Sequence, residues 1–254
     1  MQLTGKAAIV TGGGTGVGRA TGLELARQGC SVLVNYSRSR DEAEKTAADI
    51  EALGVKAVAV QADVADDTAC RNMVDIAMKA FGRIDVLVNN AGTTKFVLAA
   101  ELDKVTDEDW QRIMAVNVIG PFHCARAVKE PMLASGGGQI INVTSVAGFA
   151  GKGSSIPYAA SKGALNNLTI ALARTLAPHI RVNAIAPGFI TGRWLEQGFG
   201  SSYEAVKRTV EKMCPLERVC EPEDIAAAIM SLVTGSPMVT GQVLVCDGGM
   251  LIGK

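Results

Sequence analysis

The sequence predicts an α/β fold: one domain built on a doubly wound, parallel, seven-stranded sheet with helices on both faces. Three observations predict it. Short apolar runs alternate with longer segments of helical period along all 254 residues. The runs are continuously apolar instead of alternating, which is how strands buried on both faces read. A glycine cluster from Thr11 to Gly18 follows the first run directly and opens the first helical segment.

The strands are expected at 7–10, 32–35, 57–61, 86–89, 140–143, 182–185 and 243–246. The first reads Ala-Ala-Ile-Val and the second Val-Leu-Val-Asn. The third, Ala57 to Gln61, and the fourth, Val86 to Asn89, are equally apolar and end on polar residues. The fifth follows the short loop Gly136-Gly137-Gly138, and the last two are Val182 to Ile185 and Val243 to Cys246. Helices are expected near 16–28, 40–53, 67–80, 107–134, 157–177, 203–213 and 222–233. Strands alternating with helices place any ligand at the carboxyl ends of the strands. No repeat or linker divides the chain, so 1–254 reads as one domain, with halves at about 1–135 and 136–254. The least regular stretch, 189–215, sets Phe189, Trp194, Leu195, Phe199 and Tyr203 among glycines and serines, and reads as a lid with a loose loop at 197–202.

Two local patterns carry chemistry. Strand, glycine turn and helix start make an anion site, because outward backbone N–H groups and bare glycines let a pyrophosphate approach. The turn follows TGxxxGxG and lacks strict GxGxxG spacing. Tyr158 and Lys162 lie four residues apart and share a helix face. The Lys162 ammonium would then lower the Tyr158 pKa from about 10, fitting the phenol for proton transfer near neutral pH.

Composition narrows the function. Lys plus Arg and Asp plus Glu are 25 each, and no basic block marks nucleic acid or an anionic membrane. The start, Met1 to Lys6, lacks the apolar core of a signal peptide, and no apolar run spans a bilayer. Six cysteines without CxxC spacing read as reduced thiols of a cytoplasmic protein. Two histidines, His123 and His179, have no partners at metal-ligand spacing, so no metal is expected.

With these motifs in hand, the chain resembles the short-chain dehydrogenase/reductase family over nearly its whole length. The resemblance rests on Thr11-Gly12-x-x-x-Gly16-x-Gly18, Asp63-Val64, Asn89-Asn90-Ala91-Gly92, Asn117, Ser145, Tyr158-x-x-x-Lys162, Pro187-Gly188 and the run Val239 to Gly249, in the family's order. It implies a Rossmann-type fold and a nicotinamide-dependent oxidoreductase acting on a ketone or secondary alcohol. Ser145 would donate to the carbonyl oxygen, Tyr158 would exchange the proton, and Lys162 would hold the ribose hydroxyls. Asn117 would hold a water linking Lys162 to solvent. The cofactor would lie against Gly12, Gly14, Thr15, Gly16, Val17 and Gly18. Asp63 and Val64 would meet the adenine, Asn90, Ala91 and Gly92 the ribose, and Pro187, Gly188, Ile190 and Thr191 the nicotinamide end.

Cofactor choice turns on the second strand's end, where NAD binders of this architecture carry an acid. Here Asn35-Tyr36-Ser37-Arg38 has none, and Arg38 with Ser37 can fork onto a 2′-phosphate, which favours NADPH over NADH. Arg38 as a plain cap of a solvated loop is the alternative, and Thr15 is uncharged where many NADP-dependent relatives carry a base. Substrate class follows resemblance to the 3-oxoacyl-carrier-protein reductase branch. Arg174 matches a residue that meets the acidic carrier protein, while the companion basic position falls near Glu130, an acid beside Lys129. A sugar, polyol or general carbonyl reductase, and a catalytically silent dinucleotide-binding protein, are the other readings. A homotetramer through the two long helices and the last strand is implied, with a dimer as the alternative.

Overall fold

In the computed structural model, which describes residues 1–254, the strands are β1 (Ala7–Val10), β2 (Ser31–Tyr36), β3 (Ala57–Gln61), β4 (Val86–Asn89), β5 (Gly138–Val143), β6 (Ile180–Pro187) and β7 (Val243–Cys246). They form one sheet in the order β3-β2-β1-β4-β5-β6-β7. Every neighbouring pair is parallel. The chain winds outward from β1 to β3, returns to the centre for β4 and winds outward again to β7. That reversal between β1 and β4 opens a crevice at the carboxyl edge, because the connections on its two sides leave in opposite directions. Register keeps the edge level: Val10 pairs with Val34 on one side and Val88 on the other.

Alternate residues of each strand feed two cores. On one face, Val10, Val32 and Val86 pack with Leu25 of α1 (Gly16–Arg27), Ile50 of α2 (Arg40–Glu51) and Ile229 of α10 (Pro222–Thr234). On the other, Ile9, Leu87 and Val182 pack with Met73 of α3 (Asp67–Phe81), Met132 of α5 (Gly120–Ala134) and Leu172 of α7 (Ile156–Leu176). Side chains two residues apart face the same way, so a sheet covered on both faces needs apolar residues at every position. Helix starts are capped where the sequence allows. Asp66 accepts from the N–H groups of Thr68 and Ala69, and Thr106 forms a reciprocal box with Asp109.

The helix expected over 107–134 is not continuous. It runs as α4 (Asp107–Met114), a π segment (Ala115–Ile119) and α5. Pro121 has no N–H to return to the Asn117 carbonyl, and the Gly120 N–H reaches back to Ala115 in the wider register. The lid also differs from expectation. In place of a loose loop, 197–202 holds the end of α8 (Arg193–Phe199) and a single 3₁₀ turn (Gly200–Ser202) leading into α9 (Tyr203–Met213). Aromatic packing orders it: Phe199 stacks on Phe189 at 6.2 Å and meets Phe96 edge-on at 5.6 Å. The four-residue α6 (Ala147–Ala150) is too short to leave a periodic signal.

Candidate active site

The carboxyl ends of β1, β2, β4, β5 and β6, with the first turns of α7, enclose one cavity of about 600 Å³. Every position expected at the site lines it except Gly18 and Asn117. Gly18 lies beneath the glycine turn as a packing residue, with no room for a side chain between the turn and Asn90. Asn117 sits one layer behind. A Cβ placed on Gly92 would stand 3.6 Å from the Asn117 Oδ1 and 3.9 Å from the Lys162 Nζ.

The turn is held by polar side chains that take the place of a longer strand. The Asn90 Nδ2 donates to the carbonyls of Thr11 and Gly12, both at 3.0 Å. The Thr11 hydroxyl accepts from the N–H groups of Asn90 and Ala91, also at 3.0 Å. Asn35, buried at the end of β2, accepts from the Gly12 N–H at 3.2 Å and donates to the Ala62 carbonyl at 3.0 Å. It therefore stands where an acid could not: a carboxylate has no donor for that carbonyl. Gly16 has φ +51°, and a Cβ there would meet nothing within 4 Å, so the bare backbone at the start of α1 faces the cavity. That is an anion cradle of dinucleotide kind.

At the opposite end lie Ser145, Tyr158 and Lys162. Ser145 follows β5 by two residues, and its Oγ accepts from the Ala147 N–H at 3.1 Å. Ser155 caps α7, accepting from the Tyr158 N–H at 3.4 Å, which sets the first turn that carries the phenol. The Ser145 hydroxyl is near enough to the Tyr158 phenol to lower its pKa. The Lys162 Nζ is buried, donates to the Val143 carbonyl at 2.8 Å and lies 5.6 Å from the Tyr158 ring centroid.

The expected lowering of the Tyr158 pKa by Lys162 is not what this arrangement gives. Burial pushes the phenol above its ordinary value, and the nearby Ser145 hydroxyl offsets only part of that. Burial also lowers Lys162, to about 8. Desolvation wins because the ammonium is spent on a backbone carbonyl and is not in contact with the phenolic oxygen.

Asn117 also departs from expectation. Its Nδ2 donates to the Thr93 carbonyl at 2.9 Å and the Ser161 Oγ at 3.0 Å, and its Oδ1 accepts from the Thr93 N–H at 2.8 Å. Both amide hydrogens are committed to protein. The side chain thus ties the loop after β4 to α7, and a water relay would have to use the Asn117 main chain. Asp63 is also engaged: its carboxylate accepts from Arg112 at 2.9 Å and the Ala65 N–H at 3.0 Å. Burial works against that charge, but these bonds outweigh it and hold the carboxyl below its usual range. The Thr191 hydroxyl donates to the Glu221 carboxylate.

Sequence reasoning did not place Thr93 or Arg112 at the cavity, nor Trp194 beside Gly92. Arg112 sits on an amphipathic helix whose polar face gives no sign of its neighbours. Arg193, at the start of α8, lines the cavity and pairs with Glu42 of α2 at 2.7 Å. Arg38 is the cavity's exposed cation that makes no ion pair, although its charge reaches Asp63.

A model of the short chain dehydrogenase family matches residues 6–198. The "Granaticin polyketide synthase putative ketoacyl reductase 2" of Streptomyces violaceoruber is 41% identical over 242 residues, covering 95% of this chain and 94% of that one. The 3-oxoacyl-[acyl-carrier-protein] reductase of a Synechocystis strain is 39% identical over 253 residues, covering 98% of each. Among solved structures, NAD+-bound xylitol dehydrogenase superposes with a TM-score of 0.89 at 32% identity, covering 98% of this chain and all of that one.

Proposed function

Because the chain belongs to the short-chain dehydrogenase family, we propose that its oxidoreductase chemistry is the reduction of a 3-oxoacyl thioester with NADPH. The observation that carries the reading is one cavity joining an anion cradle and an unpaired Arg38 to the Ser145, Tyr158 and Lys162 cluster. The glycine turn would hold the pyrophosphate, Arg38 and Ser37 the 2′-phosphate, and Lys162 the nicotinamide ribose. Bound there, the nicotinamide supplies hydride donor and acceptor chemistry. Ser145 donates to the substrate carbonyl oxygen and orients it. Tyr158, neutral because its pKa is raised, delivers the proton to that oxygen. Lys162 keeps a positive charge beside the site, held by the Val143 carbonyl. Names of relatives support the thioester, as do the apolar Trp194 and Leu195 at the substrate end, where a polyol would need donors and acceptors. On the carrier-facing side, Arg174 is exposed and unpaired, whereas the exposed Glu130 pairs with Lys129 at 3.1 Å. The thioester, and not the carrier, is taken as the recognised group. A panel of 3-oxoacyl thioesters, polyols and simple ketones, followed by nicotinamide absorbance with both cofactors, tests the reading. Turnover of polyols alone would overturn it.

Arg38→Ala is expected to weaken NADPH binding about tenfold to a hundredfold, the worth of hydrogen bonds to a charged group, and to leave NADH within about twofold. Equal affinity of the unmutated protein for both cofactors would remove NADPH preference.

A pH dependence follows from Lys162. Its pKa of about 8 lies below that of the raised Tyr158 phenol, so Lys162 alone of the pair titrates just above pH 8. A depressed base is charged below its pKa and neutral above it. The kcat/KM for reduction, which reports the free enzyme, should therefore fall about tenfold per pH unit above pH 8. Lys162→Arg should abolish that limb wherever activity survives, and an unchanged limb would exclude Lys162 as its source.

The protein is also proposed to be a homotetramer. Ile119, Phe122 and Ile170 are exposed on the helical face, and Leu244 and Val245 on the edge strand β7. Apolar surface on two faces, one of them an unpaired strand edge, suits two interfaces. Light scattering should give four protomers, and a stable monomer would overturn the assignment.

A further inference from the structure

We propose that Cys246 and Cys220 are a redox-modification site, a dithiol that hydrogen peroxide converts to a disulfide, and that the bond is felt at the nicotinamide end of the main cavity. The two residues meet where β7 ends beside the segment joining α9 to α10. The Cys220 Sγ lies 3.4 Å from the Cys246 carbonyl oxygen. Both residues line a second, smaller cavity of about 160 Å³ with Leu216, Arg218, Asp224 and Ala227. Leu216, Arg218 and Ala227 are exposed, so this cavity opens on the surface. Cys246 is half-buried and Cys220 is buried. That is the division a dithiol needs: one sulfur within reach of an oxidant, and one behind it to resolve the product. The Cys220 thiol beside it lowers Cys246 to about 7, against burial and the nearby Asp224 and Asp247, whereas the same contact raises Cys220. Arg218 also favours the Cys246 thiolate, although its guanidinium is forked onto Asp224 at 2.6 and 2.8 Å. About half of Cys246 is therefore thiolate, the reactive form, at neutral pH. The other close pair, Cys70 and Cys124, has its sulfurs 3.6 Å apart, but both residues are wholly buried, where no oxidant arrives.

The Cys246 thiolate attacks one oxygen of the peroxide: an S–O bond forms, the O–O bond breaks and hydroxide leaves. Sulfur is oxidised to the sulfenic acid and the peroxide is reduced. The Cys220 sulfur then displaces the hydroxyl: the S–S bond forms, the S–O bond breaks, and the Cys220 proton leaves with the hydroxyl as water. With the proton first lost from Cys246, two thiols and one peroxide give one disulfide and two waters. The effect on the site runs through main-chain hydrogen bonds. The Gly188 N–H donates to the Cys246 carbonyl at 3.1 Å, the Cys220 N–H to the Phe189 carbonyl at 2.9 Å, and the Thr191 N–H to the Cys220 carbonyl at 2.9 Å. Ile190 and Cys220 pair as a parallel bridge. Both cysteines thus anchor one segment, of which Pro187, Gly188, Ile190 and Thr191 line the main cavity. Drawing the sulfurs into a covalent bond moves two backbones that hold this wall. The dithiol chemistry stands without the reductase reading above; its effect on the cofactor rests on that reading.

The test treats the intact protein with hydrogen peroxide, counts free thiols, maps the cross-link by peptide mass and titrates NADPH before and after. Two of the six thiols should be lost, in a Cys220–Cys246 disulfide, with Cys70 and Cys124 still reduced. The NADPH dissociation constant should rise about fivefold or more, the worth of one or two main-chain hydrogen bonds, and dithiothreitol should restore both thiols and affinity. Cys246→Ser should lose none of its remaining thiols and keep its affinity through the same treatment. Cys220→Ala, which removes the resolving sulfur, should stop at the Cys246 sulfenic acid, trapped as its dimedone adduct. Survival of all the thiols, or a disulfide between any other pair, would overturn the site. A Cys220–Cys246 disulfide with unchanged NADPH affinity would overturn its effect on the cavity. A disulfide in a protein that binds neither NADPH nor NADH when reduced would keep the dithiol and overturn the nucleotide reading, with the effect that rests on it.

Discussion

Tyr158→Phe is expected to lower kcat for reduction by about a thousandfold, within the range a single general acid contributes, and to leave the cofactor dissociation constant nearly unchanged. The phenol is the group in the cavity that combines a transferable proton with a raised pKa and the Ser145 hydroxyl close by. The substitution keeps the ring against Gly153 and removes only the oxygen. Folding should be intact, because Tyr158 carries its helix through the Ser155 cap on its backbone N–H, which phenylalanine retains. Steady-state kinetics with calorimetry of cofactor binding separates the two effects. Near-native turnover would place the proton elsewhere. The raised pKa also sets a direction. The phenol is ready-protonated for reduction at neutral pH, whereas oxidation needs the phenolate and should gain as pH rises.

Gly18→Ala should be nearly as damaging, by another route. Its Cβ would stand 2.6 Å from the Asn90 Nδ2 and 2.9 Å from the Gly13 Cα, and would overlap the Gly12 carbonyl oxygen. Two of these neighbours are backbone, and Asn90 is held by its bonds to Thr11 and Gly12. Nothing can yield without moving α1 or the glycine turn. Overpacking of this kind costs about 2 kcal/mol, a fall in Tm of about 4 to 8 °C in a chain of this size. Displacing the cradle should also weaken the cofactor about a hundredfold, since several backbone donors lose their alignment together. Scanning calorimetry and cofactor titration measure both. A native Tm with native affinity would mean the turn has slack that its close contacts do not suggest.

These two residues divide what could be read in advance. Tyr158 declared itself through its spacing from Lys162 on a helix, and the strands declared themselves through continuous apolar runs. All seven expected strands are present, with β2, β5 and β6 longer at their ends than expected. Gly18 was legible as part of the turn but not as a packing residue, because its neighbour Asn90 lies 72 positions away in the chain.

The sequence by itself therefore determined the sheet, its winding, the anion-binding turn and the identities of the cluster at Ser145, Tyr158 and Lys162. The sheet follows from periodicity, the turn from glycine chemistry and the Tyr158–Lys162 pair from short spacing, which are properties of neighbouring residues, whereas Ser145 was named only by the resemblance to the family. Tertiary structure alone decided the sign of the Tyr158 shift, the partners of Asn117, the pairing of Asp63 with Arg112 and the order in the lid. Desolvation and hydrogen-bond partners are set by what the fold packs around a group. The glycines at 198 and 200 read as looseness until the Phe96 ring was seen to need the space that Gly198 leaves. A missing side chain has two opposite uses, freedom of the backbone and closeness of approach, and only the neighbour across the gap distinguishes them.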